Sequence, residues 1–297
     1  MKITELFEQK KPIAQSALAV PMALGPNDKF TPFKELLDQK NPDAVIWQAD
    51  AIADEFSKEV IWDQVKDGGA QAVDERDVSA MKKASMKAEL DQAYQEFLSN
   101  WPAIHQQIVG ELVNNALETA GDHLMLLAYT SKAAGGRGEL SHADQAYFLA
   151  TALQAGGDQF AGVYLPEELD ENLQEKVIAV AQKVGVPVIA TKTVYDASPD
   201  TIQSTFAAAS ATGAAVINLQ MSTDVLAEID LADLELILAN LADQAGDKSL
   251  VLTMTGLLSK DQMESWLVFQ SALVTLALGE NFQTDLIQST ISELGWA

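Results

Sequence analysis

Eight short runs of nearly continuous apolar residues recur along the chain, separated by longer stretches with apolar residues at helical spacing. The runs are "SALAVPMAL" (16–24), "DAVIWQAD" (43–50), "HLMLLAYTS" (123–131) and "FAGVYLP" (160–166), followed by "VPVIATKTV" (186–194), "AAVINLQMS" (214–222), "SLVLTMTG" (249–256) and "ALVTLALGE" (272–280). Runs this apolar predict strands buried on both faces, as in a parallel sheet covered by helices. Between them, "DENLQEKVIAVAQKVG" places apolar residues on one helix face and Gly185 at its C-terminal end. "SPDTIQSTFAAASATG" repeats the logic, with Ser198 as N-cap, Pro199 at the first helical position and Gly213 at the end. Eight strands alternating with helices predict an α/β fold, a (β/α)8 TIM barrel forming one domain over residues 1–297. An open doubly wound sheet is the competing arrangement, because strand count does not prove closure.

One connection is out of proportion. Residues 51–122 separate the second and third strands, far more than one crossover helix needs. Leu90, Tyr94, Phe97, Trp101, Ile104, Ile108 and Leu112 recur there at helical spacing. Asn100 before Trp101-Pro102 predicts a break and a fresh helix start. The stretch reads as a helical insertion of two or more helices. It could cap one side of the barrel, act as a lid or serve as a dimerisation arm. Its apolar face needs a permanent partner, which favours packing or dimerisation over a lid.

Chemistry in this fold sits at the C-terminal ends of the strands. The polar groups expected there are Gln48, Asp50, Thr130, Lys132, Arg137, Lys192, Thr193, Asp196, Asn218 and Gln220. Lys192 is a candidate imine-forming amine, since burial can lower a lysine pKa into a useful range. Strand alternation opposes that role: if Thr193 faces the pocket, Lys192 points toward the helices. Lys132 and Arg137, in the glycine-rich "TSKAAGGRGE" stretch expected to be mobile, suit either a small-anion site or an exposed structural role. Asp50 and Asp196 could ligate a divalent cation, but two scattered acids in so acidic a chain do not define a metal site. No metal or cofactor is therefore expected.

Charge narrows the partners. The net charge is −24, from 43 acidic against 19 basic residues. Such a surface repels nucleic-acid backbones and anionic membranes, so neither is an expected partner. The chain holds only two arginines, Arg76 and Arg137, and three histidines, His105, His123 and His142. None of these histidines lies at the C-terminal end of a predicted strand. Cysteine is absent, which removes disulfides and thiolate chemistry. The polar start "MKITELFEQKKPIAQS" has no apolar core of a secretion signal, and no run is long enough to span a bilayer, so a cytoplasmic location is expected. No Walker loop, strand-linked GxGxxG, HExxH or GxSxG element appears.

Laid end to end, the strands resemble the type I 3-dehydroquinate dehydratases, (β/α)8 enzymes. The residues that carry the likeness are "DAVIWQAD", "YTSKAAGGRGELS", "VIATKTVYDASPD", "GAAVINLQMS" and "VLTMTGLLSKDQMESWLVFQSALVTLALGE". The resemblance covers most of the chain outside 51–122. It implies Schiff-base dehydration: a lysine ending the sixth strand forms an imine, a histidine of the fifth strand moves protons, and arginines clamp a carboxylate. In this chain the lysine position is Asn218 and the histidine position is Thr193. The acidic and basic positions of the second strand fall on Ile46 and Gln48. The third-strand arginine falls on Tyr129, and the glutamate of the following loop on Ala133 or Ala134. The arginine after the seventh strand falls on Met263, and the closing-loop serine and glutamine on Phe282 and Leu286. Every matched position is changed. The expected protein is a dehydratase-like barrel without that activity. It would act as a binding or interaction protein, with a small-molecule ligand at the barrel mouth and a homodimeric assembly. Met263, Phe282 and Leu286 would either plug the mouth or suit it to a less polar ligand. The alternative is a divergent Schiff-base lyase, 3-dehydroquinate dehydratase or aldolase-like, that uses a relocated lysine.

Overall fold

A computed structural model describes residues 1–10, 17–23, 37, 42–75, 78–255 and 273–275. Its strands are β1 (Ala17–Met22), β2 (Ala44–Gln48), β3 (Leu124–Ala128), β4 (Phe160–Leu165), β5 (Val188–Val194), β6 (Val216–Ser222), β7 (Ser249–Thr255) and β8 (Leu273–Thr275). All pair in parallel, in the order β7-β6-β5-β4-β3-β2-β1-β8. The sheet curls, so that β7 and β8 at its two ends approach each other. Each expected apolar run contains one of these strands.

The period of two along each strand separates two cores. On the inner face, Ala44, Ile46, Leu126, Ile189, Val216 and Val251 gather around Ile3, Leu6 and Phe7 of α1 (Ile3–Lys10). Gly162 belongs to this face, since a Cβ there would press on Ile3 and Leu126. Lys2 donates through Nζ to the carbonyls of Asp158 (2.7 Å) and Phe160 (2.8 Å), at the start of β4. Helix α1 therefore closes the N-terminal end of the sheet interior and leaves the opposite end open for a site. On the outer face, Trp47, Met125, Leu127, Ile217 and Leu219 pack beneath the helices.

Residues between β2 and β3 form α2 (Asp50–Ala53), a single 3-10 turn (Asp54–Phe56), α3 (Lys58–Asp74) and α4 (Ala80–Ala120). Helix α4 has 41 residues, about 60 Å at 1.5 Å per residue. In its C-terminal half, Val109, Val113, Ala116 and Ala120 recur on one face and join the outer core. In its N-terminal half it packs on α3, where Trp62 meets Tyr94 (5.0 Å between ring centroids) and Phe97 (5.2 Å).

The break expected at Trp101-Pro102 is absent: Pro102 lies inside a continuous helix. Proline removes one backbone donor and crowds the preceding turn. Contacts that span the site hold the helix together, with the rings of Phe97, Trp101 and His105 packing at a tilt at successive four-residue steps (5.6 and 5.3 Å).

The later helices are α5 (His142–Gly156), α6 (Glu171–Lys183), α7 (Pro199–Ala211), α8 (Thr223–Ala227) and α9 (Leu231–Ala245). Ser198 caps α7 as expected, its side chain accepting from Thr201 N. Gly185 and Gly213 take positive φ (72° and 76°) just beyond α6 and α7.

Candidate functional site

The inner face changes character toward the C-terminal ends of the strands. Apolar residues near α1 give way to Gln48 on β2, Tyr164 on β4, Thr191 and Thr193 on β5, Asn218 and Gln220 on β6, and Thr253 on β7. These side chains line a cavity of about 680 Å³, within the range of small-molecule sites. Glu167 and Glu168, immediately after β4, complete one wall.

Asn218 is the best-connected group at the cavity floor. It is 3 % exposed. Its Nδ2 donates to Thr191 Oγ1 (3.1 Å), and its Oδ1 accepts from Thr253 Oγ1 (2.8 Å). A hydroxyl–amide–hydroxyl chain thus crosses β5, β6 and β7. Thr193 engages Glu167 twice, through its backbone N–H (3.1 Å) and its Oγ1 (2.9 Å), both to Oε2. That pair fixes one carboxylate at the rim.

Other polar groups there are unsatisfied. Glu168 Oε1 is buried without a hydrogen-bond partner. Among the described residues, no hydrogen bond engages the side chains of Gln48, Tyr164 or Gln220. Burial pushes the Tyr164 phenol well above its ordinary pKa, so it stays a neutral donor and acceptor.

The loop after β3 forms the side of the site and is held rather than loose. Asp50, 5 % exposed, accepts from the backbone N–H of Thr130 (3.3 Å) and of Arg137 (3.0 Å). Burial raises the Asp50 pKa, and these two donors oppose the rise. Asp54, one turn on, accepts from Tyr129 OH (2.9 Å) and from Glu139 N (2.6 Å). Glycine is required where the loop closes: a Cβ on Gly136 would strike the Thr130 carbonyl, and one on Gly138 the Tyr129 ring. Four hydrogen bonds accepted by two aspartates thus anchor the glycine-rich stretch expected to be mobile.

Of the sequence-predicted positions, Ile46, Gln48, Tyr129, Thr130, Thr193 and Asn218 come together around the cavity. Gln220 joins them, and Ala133 and Ala134 lie at its edge. Tyr129 contributes from the outer side, with its ring buried and its hydroxyl bound to Asp54. Asp50, Lys132, Arg137 and Lys192 are not among the lining residues. Lys192 alternates away from Thr193, as strand geometry requires. Lys132 is exposed and pairs with Glu139 (2.7 Å), and Arg137 is also exposed. Asp196 caps the start of α7, accepting from Ser198 N and Thr201 Oγ1 (both 2.8 Å). No cluster of three or more His, Asp or Glu able to hold a metal occurs among the described residues. Met263, Phe282 and Leu286 lie outside the described residues.

Sequence reading missed Tyr164, Glu167, Glu168, Thr191 and Thr253. Thr191 and Tyr164 were available from strand alternation, two residues before Thr193 and two before the Pro166 that ends the fourth run. Glu167 and Glu168 directly follow that run, where this fold places functional loops.

Among the described residues that line the cavity there is no lysine, arginine or histidine. The molecule is thus a parallel α/β barrel-type protein with a polar mouth whose described lining carries no cation. In fold it is similar to type I 3-dehydroquinate dehydratases. The Clostridium difficile enzyme, solved with covalently modified comenic acid, superposes with a TM-score of 0.61 at 14% identity, covering 94% of this chain and 92% of that one. The Geobacillus kaustophilus enzyme gives 0.60 at 15% identity, covering 95% and 92%. That of Enterococcus faecalis gives 0.56 at 13%, covering 94% of both chains. No protein-family model matches the sequence, and no curated protein matches it. No helix among the described residues is long and apolar enough to cross a membrane.

Proposed function

We propose that this chain is a small-molecule-binding barrel that has given up imine chemistry. The observation that carries the reading is Asn218, an amide held between Thr191 and Thr253 at the position that the resemblance assigns to the imine-forming lysine. An amide nitrogen is not nucleophilic enough to form an imine, and both of its hydrogen-bonding functions are already engaged. The position assigned to the proton-moving histidine is Thr193, bound to Glu167. A threonine hydroxyl has no useful basicity near neutral pH. No arginine among the described lining residues is available to clamp a carboxylate. What remains is a preformed polar cavity, suited to binding.

The test is intact mass after incubation with 3-dehydroquinate and borohydride, beside an active dehydratase as positive control. No adduct is expected on this chain. A lysine adduct would overturn the reading in favour of a Schiff-base enzyme with a relocated amine, and peptide mapping would identify that lysine.

The same reading includes a homodimer. Its support is the assembly that the resemblance implies, together with individually exposed apolar side chains on the α3–α4 pair, where Val65 is 51% and Met81 85% exposed. Sedimentation equilibrium would give twice the monomer mass of 32.0 kDa; a monomer would remove this part of the reading.

A further inference from the structure

We infer that the ligand of the barrel mouth is a small hydroxylated amine that carries no acidic group. The inference rests on the proposal that the cavity is a binding site, and adds the charge and donor pattern of its occupant.

The lining presents two kinds of unmet demand. Gln48, Gln220 and Tyr164 each offer both a donor and an acceptor, and none is engaged within the protein among the described residues. Groups that donate and accept at once are matched by hydroxyls, which do the same. Neutral amides and a neutral phenol give no preference for charge, so this part of the wall recognises a polyol.

The second demand is for positive charge. Glu168 Oε1 is buried and unpartnered, a state that costs free energy until a donor reaches it. Beside it stands Glu167, one oxygen of which is held by Thr193. The described lining supplies two carboxylates and no cation. Attraction between opposite charges is stronger within low-dielectric walls than at an open surface, and the chain as a whole carries −24. An ammonium group in the cavity offsets this local charge. A carboxylate or phosphate ligand would add a further negative charge to a wall that already holds two. The cavity, about 680 Å³, has room for a six-membered ring with its substituents.

Three probes of one size separate these demands: glucosamine, glucose and glucuronate, titrated by saturation-transfer NMR and calorimetry. Glucosamine is expected to bind at least about tenfold tighter than glucose, with glucuronate undetected. Glu168→Gln keeps the shape and removes the charge, and should bring glucosamine and glucose to within about twofold. Tyr164→Phe should weaken both equally and leave their ratio intact. The inference is overturned if glucuronate matches glucosamine, if no probe binds, or if Glu168→Gln retains the preference. Failure here is distinct from failure of the functional proposal. A borohydride-trapped lysine adduct removes the binding-barrel reading itself, whereas glucuronate binding without an adduct removes only the ligand class.

Discussion

Asn218 and Thr253 are joined across β6 and β7 by a 2.8 Å hydrogen bond from the threonine hydroxyl to the amide oxygen. On the other side, the Asn218 amide nitrogen reaches Thr191. One buried amide therefore ties three neighbouring strands at the level where the inner face turns from apolar to polar. A lysine in its place would put an ammonium among groups that now satisfy one another.

Asn218→Ala strands both threonine hydroxyls and opens space at the cavity floor. The expected loss is about 1–3 kcal/mol of unfolding free energy, the range for leaving buried polar groups unsatisfied. Urea denaturation checks it. Thr253→Val should cost less, because Asn218 keeps its bond to Thr191. A neutral Asn218→Ala would show that the chain of bonds is not stabilising.

His105 gives the protein an acid-sensitive element. Its ring lies between Trp101 and Tyr147 (5.3 and 4.5 Å between centroids), 6 % exposed, with Nδ1 unpartnered. Burial lowers its pKa from 6.5 to about 4, against a smaller opposing pull from Asp144. The unfolded chain takes up the proton near pH 6.5, while the folded chain resists until about pH 4. Stability from this residue is thus complete above pH 6.5 and is lost as pH falls toward 4, by on the order of 3 kcal/mol. His105→Phe keeps an aromatic ring and removes the proton site. Chemical denaturation of both proteins at pH 7 and pH 4 should show the variant gaining on the parent by that amount. An unchanged difference would remove His105 as the cause.

The apolar runs revealed the strands because burial on both sheet faces leaves little choice of residue. Alternation also settled that Thr193 and Lys192 face opposite ways, a local rule needing no tertiary information. The glycine-rich loop was harder. Its anchors are Asp50 and Asp54, which lie about 80 residues earlier in the chain and carry no mark of their target. Glu167 and Glu168 carry no distinguishing mark in so acidic a chain, and only the fold shows that these two line the cavity. Pro102 misled for the opposite reason. The local signal for a helix start was genuine, but aromatic packing on both sides of it outweighed one lost hydrogen bond.

That last point is measurable. Pro102→Ala restores the missing backbone donor inside α4 and leaves the Phe97–Trp101–His105 contacts in place. Stability should rise by about 1–3 kcal/mol, up to the penalty proline carries in a helix interior. A fall instead would mean that α4 needs the geometry proline imposes, and the thermal midpoint reports either outcome.

Asp50 and Asp54 act on the site through backbone amides, which hydrogen exchange reads directly. Asp50→Ala removes the acceptor for Thr130 N and Arg137 N, and Asp54→Ala the acceptor for Glu139 N and Tyr129 OH. Each variant should speed exchange at its own amides by about tenfold or more, while amides of β5 and β6 stay protected. The two should also differ in stability. Asp50 is buried, so its loss leaves two amides without a partner, at a cost of about 2–3 kcal/mol. Asp54 is half-buried, and water can replace it at Glu139 N more cheaply. Lys132→Ala serves as the comparison, since its ion pair with Glu139 is exposed and screened. It should leave both exchange and stability unchanged. Unchanged exchange in both aspartate variants would mean that the loop is held by its other contacts and not by the two aspartates.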